Sequence, residues 1–237
     1  MKYYLLLLLL ASCASTGPAL EFNVSQIPAC KASFNKGSPK QPSPPDQFLK
    51  DTFEFVKENC SNDVLFGANK ERYDGLGVWG NKLGVSESSS RKRRCAGVFE
   101  LMRGTAAFES TFRWHIGIDT SKSSSLKKDL WAEESGIFQT SPNSHVYSCP
   151  PSGCLRFAYL DNLTESNGIP SMRSWSKQAA ADWISAMKQY KNKELIMHHF
   201  VFMLRHKMNH YGTLLDKKNR TGANIQKGCV DEVEKLL

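Results

Sequence analysis

The sequence predicts a mainly α-helical, disulfide-stapled domain, on three observations. Hydrophobic residues make up 41% and aromatics 11% of the 237 residues, which suits a packed core and not a disordered chain. Ala180, Trp183, Ile184 and Met187 recur at the spacings of one helix face. The stretch from Leu195 to Leu204 is nearly continuous apolar sequence, as expected of a central helix.

Taken in order, residues 1–12 read as a secretory signal. Lys2 precedes the apolar run Tyr3 to Leu10, and the small residues Ala11 and Ser12 follow. The run is too short to span a bilayer. Leu10-Ala11-Ser12-Cys13 resembles a bacterial lipobox, which implies lipidation of Cys13 and a membrane anchor; plain secretion is the alternative. Residues 13–45 read as a tether, because Gly37 to Asp46 (GSPKQPSPPD) is dense in Pro and Ser. Residues 46–237 then form the folded domain.

Within it, Asp46 is expected to cap a helix reaching Glu58, with Phe48, Leu49, Phe53, Phe55 and Val56 on its apolar side. Residues 61–93, rich in Gly, Ser and charge, read as loops. A second helix is expected from Cys95 to Glu109. Loops, short turns and a small hairpin near Cys149 to Leu160 are expected between 110 and 172. A third helix covers Ser176 to Tyr190, a fourth Glu194 to His210, and a last one Val230 to Leu237. No internal repeat is visible.

Setting Cys13 aside leaves Cys30, Cys60, Cys95, Cys149, Cys154 and Cys229. An even number in an exported chain predicts up to three disulfides. Only the tight loop Cys149-Pro-Pro-Ser-Gly-Cys154 suggests its own pairing. A bridge at Cys30 would strap part of the tether to the domain. The net charge of +8 and the pI near 9.1 suit anionic envelope polymers, nucleic acid or a membrane surface, and the sign does not choose among them. The run Arg91-Lys92-Arg93-Arg94 reads as a solvated loop, with an anion-binding or processing site as the alternative.

Chemistry concentrates at the end of the second helix. Val98, Met102, Thr105 and Glu109 fall on one stripe, so Glu109 is carried along an apolar face near the helix C-terminus, whereas Glu100 points elsewhere and is expected to be solvated. An apolar surround and the negative helix end both raise a carboxyl's pKa. A glutamic acid protonated near neutral pH can donate to a leaving oxygen.

Glu109-Ser110-Thr111-Phe112 (ESTF) and, later, Gly136-Ile137-Phe138-Gln139 (GIFQ), introduced by Glu134-Ser135 and followed by Pro142, resemble the two signature blocks of lytic transglycosylases and goose-type lysozymes, in the lysozyme-like superfamily. The matched span is roughly residues 98–142. The resemblance implies a helical lysozyme-like fold and cleavage of the β-1,4 bond between muramyl and glucosaminyl residues of peptidoglycan. It implies Glu109 as the catalytic acid, Ser110 as a support of the active-site backbone, Gly136 and Gln139 as lining of the glycan groove, and Ser135 beside the acid. A third block of Ala-Tyr-Asn-Ala-Gly type has its nearest counterpart in Asn209-His210-Tyr211-Gly212, in a different residue order. Tyr211 is its candidate, and Tyr190 a rival. The segment Arg113 to Glu133 is longer than the usual link between the blocks.

Two outcomes are open at the bond. Hydrolysis uses a second carboxylate, for which Glu133, Glu134 and Asp119 are candidates. Lytic transglycosylation needs one carboxylate, as the sugar's own hydroxyl attacks. A protein that binds glycan without cleaving it is the competing class. No HExxH motif, CxxC pair, P-loop, dinucleotide fingerprint or nucleic-acid motif is present, so neither metal, cofactor nor nucleic acid is expected. The six histidines read as structural or solvated. The partners expected are glycan strands and, through Cys13, a membrane; a monomer is expected.

Overall fold

The computed structural model describes residues 22–32, 43–69, 74–115, 135–140, 154–169, 176–206 and 225–237. The architecture is helical, and no strand occurs among the described residues. The helices are α1 (Asp46–Asn59), α2 (Asp63–Phe66), α3 (Gly75–Leu83), α4 (Arg91–Ser110), α5 (Cys154–Ser166), α6 (Lys177–Met187), α7 (Lys193–His206) and α8 (Lys227–Leu236). Short 3-10 turns cover Val24–Gln26, Pro28–Lys31 and Tyr190–Asn192.

Helix α1 runs as the sequence implies, but Pro45 occupies its cap and Asp46 its first turn, where the carboxylate pairs with Lys31 at 2.8 Å. Phe48, Leu49, Phe53, Phe55 and Val56 are all buried. Ser176 caps α6 by accepting from the Ala179 amide, and Ala180, Trp183, Ile184 and Met187 lie inside. Helix α7 is buried at every position from Leu195 to Arg205, as expected of a central helix.

Several expectations are corrected. The stretch 61–93 is not mainly loop. Asn62 and Asp74 accept backbone amides at the starts of α2 and α3, and Gly84 closes α3 at a left-handed φ of 65°. Helix α4 begins four residues early, so Arg91 to Arg94 form its first turn behind the cap Ser90. Two of these charges are engaged: Arg91 pairs with Asp63, and Arg93 with Asp231 and Glu234. The segment expected to hold a hairpin contains α5 from Cys154 onward.

The largest correction concerns Glu100. Helix α4 has no solvated side in its middle, because residues 95–107 are buried all round. Glu100 is fully buried and bonded by the guanidinium of Arg103, itself fully buried. The same carboxylate accepts the Gln226 amide at 2.7 Å, and Arg103 donates to the Cys30 carbonyl at 3.3 Å. This clasp joins α4 to both ends of the described chain. Burial pushes Glu100 up from the usual carboxylate range, and Arg103 and the Gln226 amide pull against it.

Two disulfides fasten this frame. Cys60–Cys95 ties the end of α1 to α4. Cys30–Cys229 spans 199 positions and straps the Cys30 segment to α8, which packs along α4. Cys149 lies outside the described residues, as does the side chain of Cys154. No helix among the described residues is long and apolar enough to cross a membrane.

Candidate functional site

Glu109 is the penultimate residue of α4, and its side chain is half-buried. The helix stops there abruptly. Thr111 and Phe112 both take left-handed backbone, at φ 51° and 64°. The Phe112 amide returns to the Ala106 carbonyl at 3.1 Å, and the Ser110 hydroxyl donates to that same carbonyl at 3.0 Å. The Ser110 carbonyl in turn accepts the Thr111 hydroxyl at 2.6 Å and the Arg113 Nε–H at 3.1 Å. Ser110 therefore fixes the backbone just beyond Glu109 from both its side chain and its carbonyl.

Residues beyond the corner pack outward from it. Phe112 is buried against Phe48 of α1, with ring centroids 5.1 Å apart. Trp114 meets Tyr190 edge-on at 5.5 Å. Tyr190 donates its hydroxyl to Asp51 at 2.7 Å, and Lys193 bonds the other oxygen of the same carboxylate. Burial and the Asp51 charge both push the Tyr190 phenol up from its ordinary value. Asp51, only 3% exposed on α1, is a carboxylate that the sequence reading did not select.

The second block is a closed turn. Ser135 and Thr140 exchange both backbone hydrogen bonds, at 3.0 and 3.1 Å. Inside, the Gly136 carbonyl accepts the Gln139 backbone amide at 3.1 Å and its side-chain amide at 2.9 Å. Gly136 has φ 77°, and an added Cβ would stand 2.4 Å from the Met187 carbonyl oxygen at the end of α6, so only glycine fits. Phe138 stacks on Phe200 of α7, centroids 4.1 Å apart.

The second block borders the corner between α6 and α7 directly, through Gly136 and Met187. The first block stands just ahead of Trp114, which meets the same corner at Tyr190. Thr111, Phe112 and Gln139 are the non-glycine residues with positive φ among those described, and all three fall within the two blocks. Such conformations carry a cost of about 1–3 kcal/mol each and cluster where function constrains the backbone. Two buried hydroxyls beside the blocks, Thr105 Oγ1 one turn before Glu109 and Ser135 Oγ at the head of the turn, have no hydrogen-bond partner among the described residues.

Of the residues singled out in the sequence, Glu109, Ser110, Ser135, Gly136 and Gln139 are placed as above. Cys13, Asp119, Glu133, Glu134 and Tyr211 lie outside the described residues. The Tyr190 rival is brought beside the end of α4, through Trp114. No group of three or more His, Cys, Asp or Glu side chains suited to a metal ion occurs among the described residues. No protein-family model, curated protein or solved structure matches this chain.

Proposed function

We propose that this protein cleaves the glycan strands of peptidoglycan at the β-1,4 bond between muramyl and glucosaminyl residues, within the lysozyme-like superfamily, with Glu109 as general acid. The observation that carries the reading is the coincidence of backbone and motif: the strained non-glycine residues at 111, 112 and 139 belong to the ESTF and GIFQ blocks. The blocks stand out by their resemblance to the two signature blocks of lytic transglycosylases and goose-type lysozymes, and backbone strain is a separate property of the same residues.

In the proposed mechanism Glu109 donates its proton to the glycosidic oxygen as the bond breaks. The positive charge that develops on the sugar is captured by water or by the sugar's own 6-hydroxyl. Ser110 holds the corner that aims Glu109, and the turn from Ser135 to Gln139 lines the groove. Hydrolysis would draw its second carboxylate from Glu133, Glu134 or Asp119. An exported location is part of the reading. Two disulfides support it, because such bridges persist in oxidising compartments. The lipobox-like Cys13 would anchor the chain to a membrane facing the wall.

The test is mass spectrometry of fragments released from purified peptidoglycan by the wild type beside Glu109→Gln. Anhydro-muramyl ends from the wild type alone are the product of lytic transglycosylation, and free reducing ends that of hydrolysis. Equal release by Glu109→Gln would remove the assignment. Retention on the glycan without fragments from either protein would make this a glycan-binding protein.

A further inference from the structure

A cavity lies at the other end of α4. It measures about 230 Å³ and is walled by α3, the loop at Ser86 and Glu87, and the first turn of α4. Fifteen positions separate Arg94, in its wall, from Glu109. At about 1.5 Å per residue that is about 22 Å, so this cavity is distinct from the site above. It is smaller than the ~300–1,000 Å³ clefts that hold drug-sized ligands.

Its charges are arranged in two different ways. Arg205 and Asp74 neutralise each other: Nε and Nη2 of the arginine donate to the two carboxylate oxygens at 2.7 and 3.1 Å, and both residues are buried. Arg94 has no such partner. Its Nε donates to the Phe66 carbonyl at 3.2 Å and its Nη1 to the Ser89 carbonyl, which hold the guanidinium in place without cancelling its charge. No ion pair reaches Arg94 among the described residues, and its Nη2 hydrogens remain unspent. Burial, together with the charges of Arg91 and Arg205, lowers its pKa, against a smaller opposing pull from Asp63. Glu87, across the same cavity, is exposed and has no hydrogen bond or ion pair among the described residues. It is presented by a tight loop in which the Ser86 amide donates to Ser89 Oγ at 2.8 Å.

The lining therefore offers one unpaired positive group and one unpaired negative group around a space of metabolite size. A simple anion would meet the Glu87 charge, and a simple cation the Arg94 charge. A molecule that carries both charges satisfies both walls, and an arginine fork suits a carboxylate in particular. We infer that this cavity binds a small zwitterion, a free α-amino acid, with its carboxylate on Arg94 and its ammonium on Glu87. The site is independent of glycan cleavage, so Glu109→Gln leaves it intact.

The test is an NMR titration of the full chain with alanine, propionate and ethylammonium, which separate the zwitterion from each of its halves. Alanine should bind at least tenfold more tightly than either half, with shifts centred on Asn81, Ser86, Glu87 and Arg94. Arg94→Gln should remove the alanine response. Glu87→Gln, at an exposed position that the fold does not use, should reduce alanine to the affinity of propionate. Gly77→Leu supplies a blocked cavity in a sound helix, since a Cβ there meets nothing nearer than the Asp74 Cβ at 3.9 Å. It should abolish binding with no fall in melting temperature. Equal affinity for propionate and alanine, unchanged binding in Arg94→Gln or Glu87→Gln, or no saturable shift in the wild type would each overturn the inference.

Discussion

Arg103→Met removes one half of the clasp inside α4 and leaves Glu100 fully buried, with the Gln226 amide still donating to its carboxylate. A lone buried carboxylate escapes its charge by taking up a proton, and this caps the electrostatic loss. At pH 7 the cap is the cost of protonating a carboxyl whose free pKa is about 4.3, or about 4 kcal/mol; at pH 5 it is about 1 kcal/mol. The sign follows from proton counts. In the variant the native state keeps a proton that the unfolded chain has lost, so stability falls as pH rises from about 4 to 7. Urea denaturation with both disulfides intact should show Arg103→Met losing about 3–4 kcal/mol at pH 7, and markedly less at pH 5. In melting temperature the neutral-pH loss is about 8–15 °C. Adding Glu100→Gln should erase the extra pH dependence and recover part of the stability. A loss below about 1 kcal/mol at pH 7, or the same loss at both pH values, would refute the reasoning.

His198 gives a second pH effect in the wild type. It packs edge-on to Phe55 and bonds the Tyr159 hydroxyl at 3.0 Å, and burial pushes its pKa down to about 4 from an ordinary value near 6.5. The unfolded chain then binds the extra proton first. Stability should decline as pH falls from about 6.5 towards 4, by about 3 kcal/mol at most, and His198→Gln should flatten that slope in chemical denaturation curves. Gly136→Ala forces a left-handed alanine whose Cβ meets the Met187 carbonyl; a loss of about 2–4 kcal/mol by thermal melting is expected, and a loss under about 1 kcal/mol would show that the turn yields easily. Removing the Cys30–Cys229 bridge, by Cys→Ser at both positions, should cost more than removing Cys60–Cys95, because the loops span 199 and 35 positions. Loop-closure entropy gives about 5 against about 4 kcal/mol, readable as the order of the two urea midpoints.

How much of the fold was legible depended on how local its causes are. Helices α6 and α7 were read closely because Trp183, Met187 and the run from Leu195 announce burial by themselves. Helix α3 was missed because Gly75, Gly77 and Gly80 weaken helix propensity by about 1 kcal/mol each. Burial of Leu76 and Leu83, the Asp74 cap and the left-handed Gly84 outweigh that, and only the caps are visible in the sequence. The basic run at 91–94 looked like a loop because its acidic partners, Asp63, Asp231 and Glu234, lie far away along the chain. Glu100 was misplaced for a related reason. A stripe argument assumes one wet face, and α4 is enclosed by α1, α7 and α8 through its middle. At the candidate site, residue types revealed the two blocks but not their backbone. Left-handed Phe112 and Gln139 carry no turn signature of their own, and nothing marked Asp51 as a buried carboxylate beside Tyr190.

The bridge between Cys30 and Cys229 also decides how the molecule bears load. If the chain is pulled by its two ends, tension runs from the N-terminal segment through the sulfur atoms into α8, and leaves at Leu237. Everything between the two cysteines, including both motif blocks and the zwitterion cavity, hangs on that line as a slack loop. On the proposed reading, a chain moored at one end to a membrane and acting on a rigid polymer would work under drag. The disulfide turns the 22–32 segment into a shackle, so that a tug on the mooring is met by a covalent bond to α8 before it can peel helices from the core one at a time.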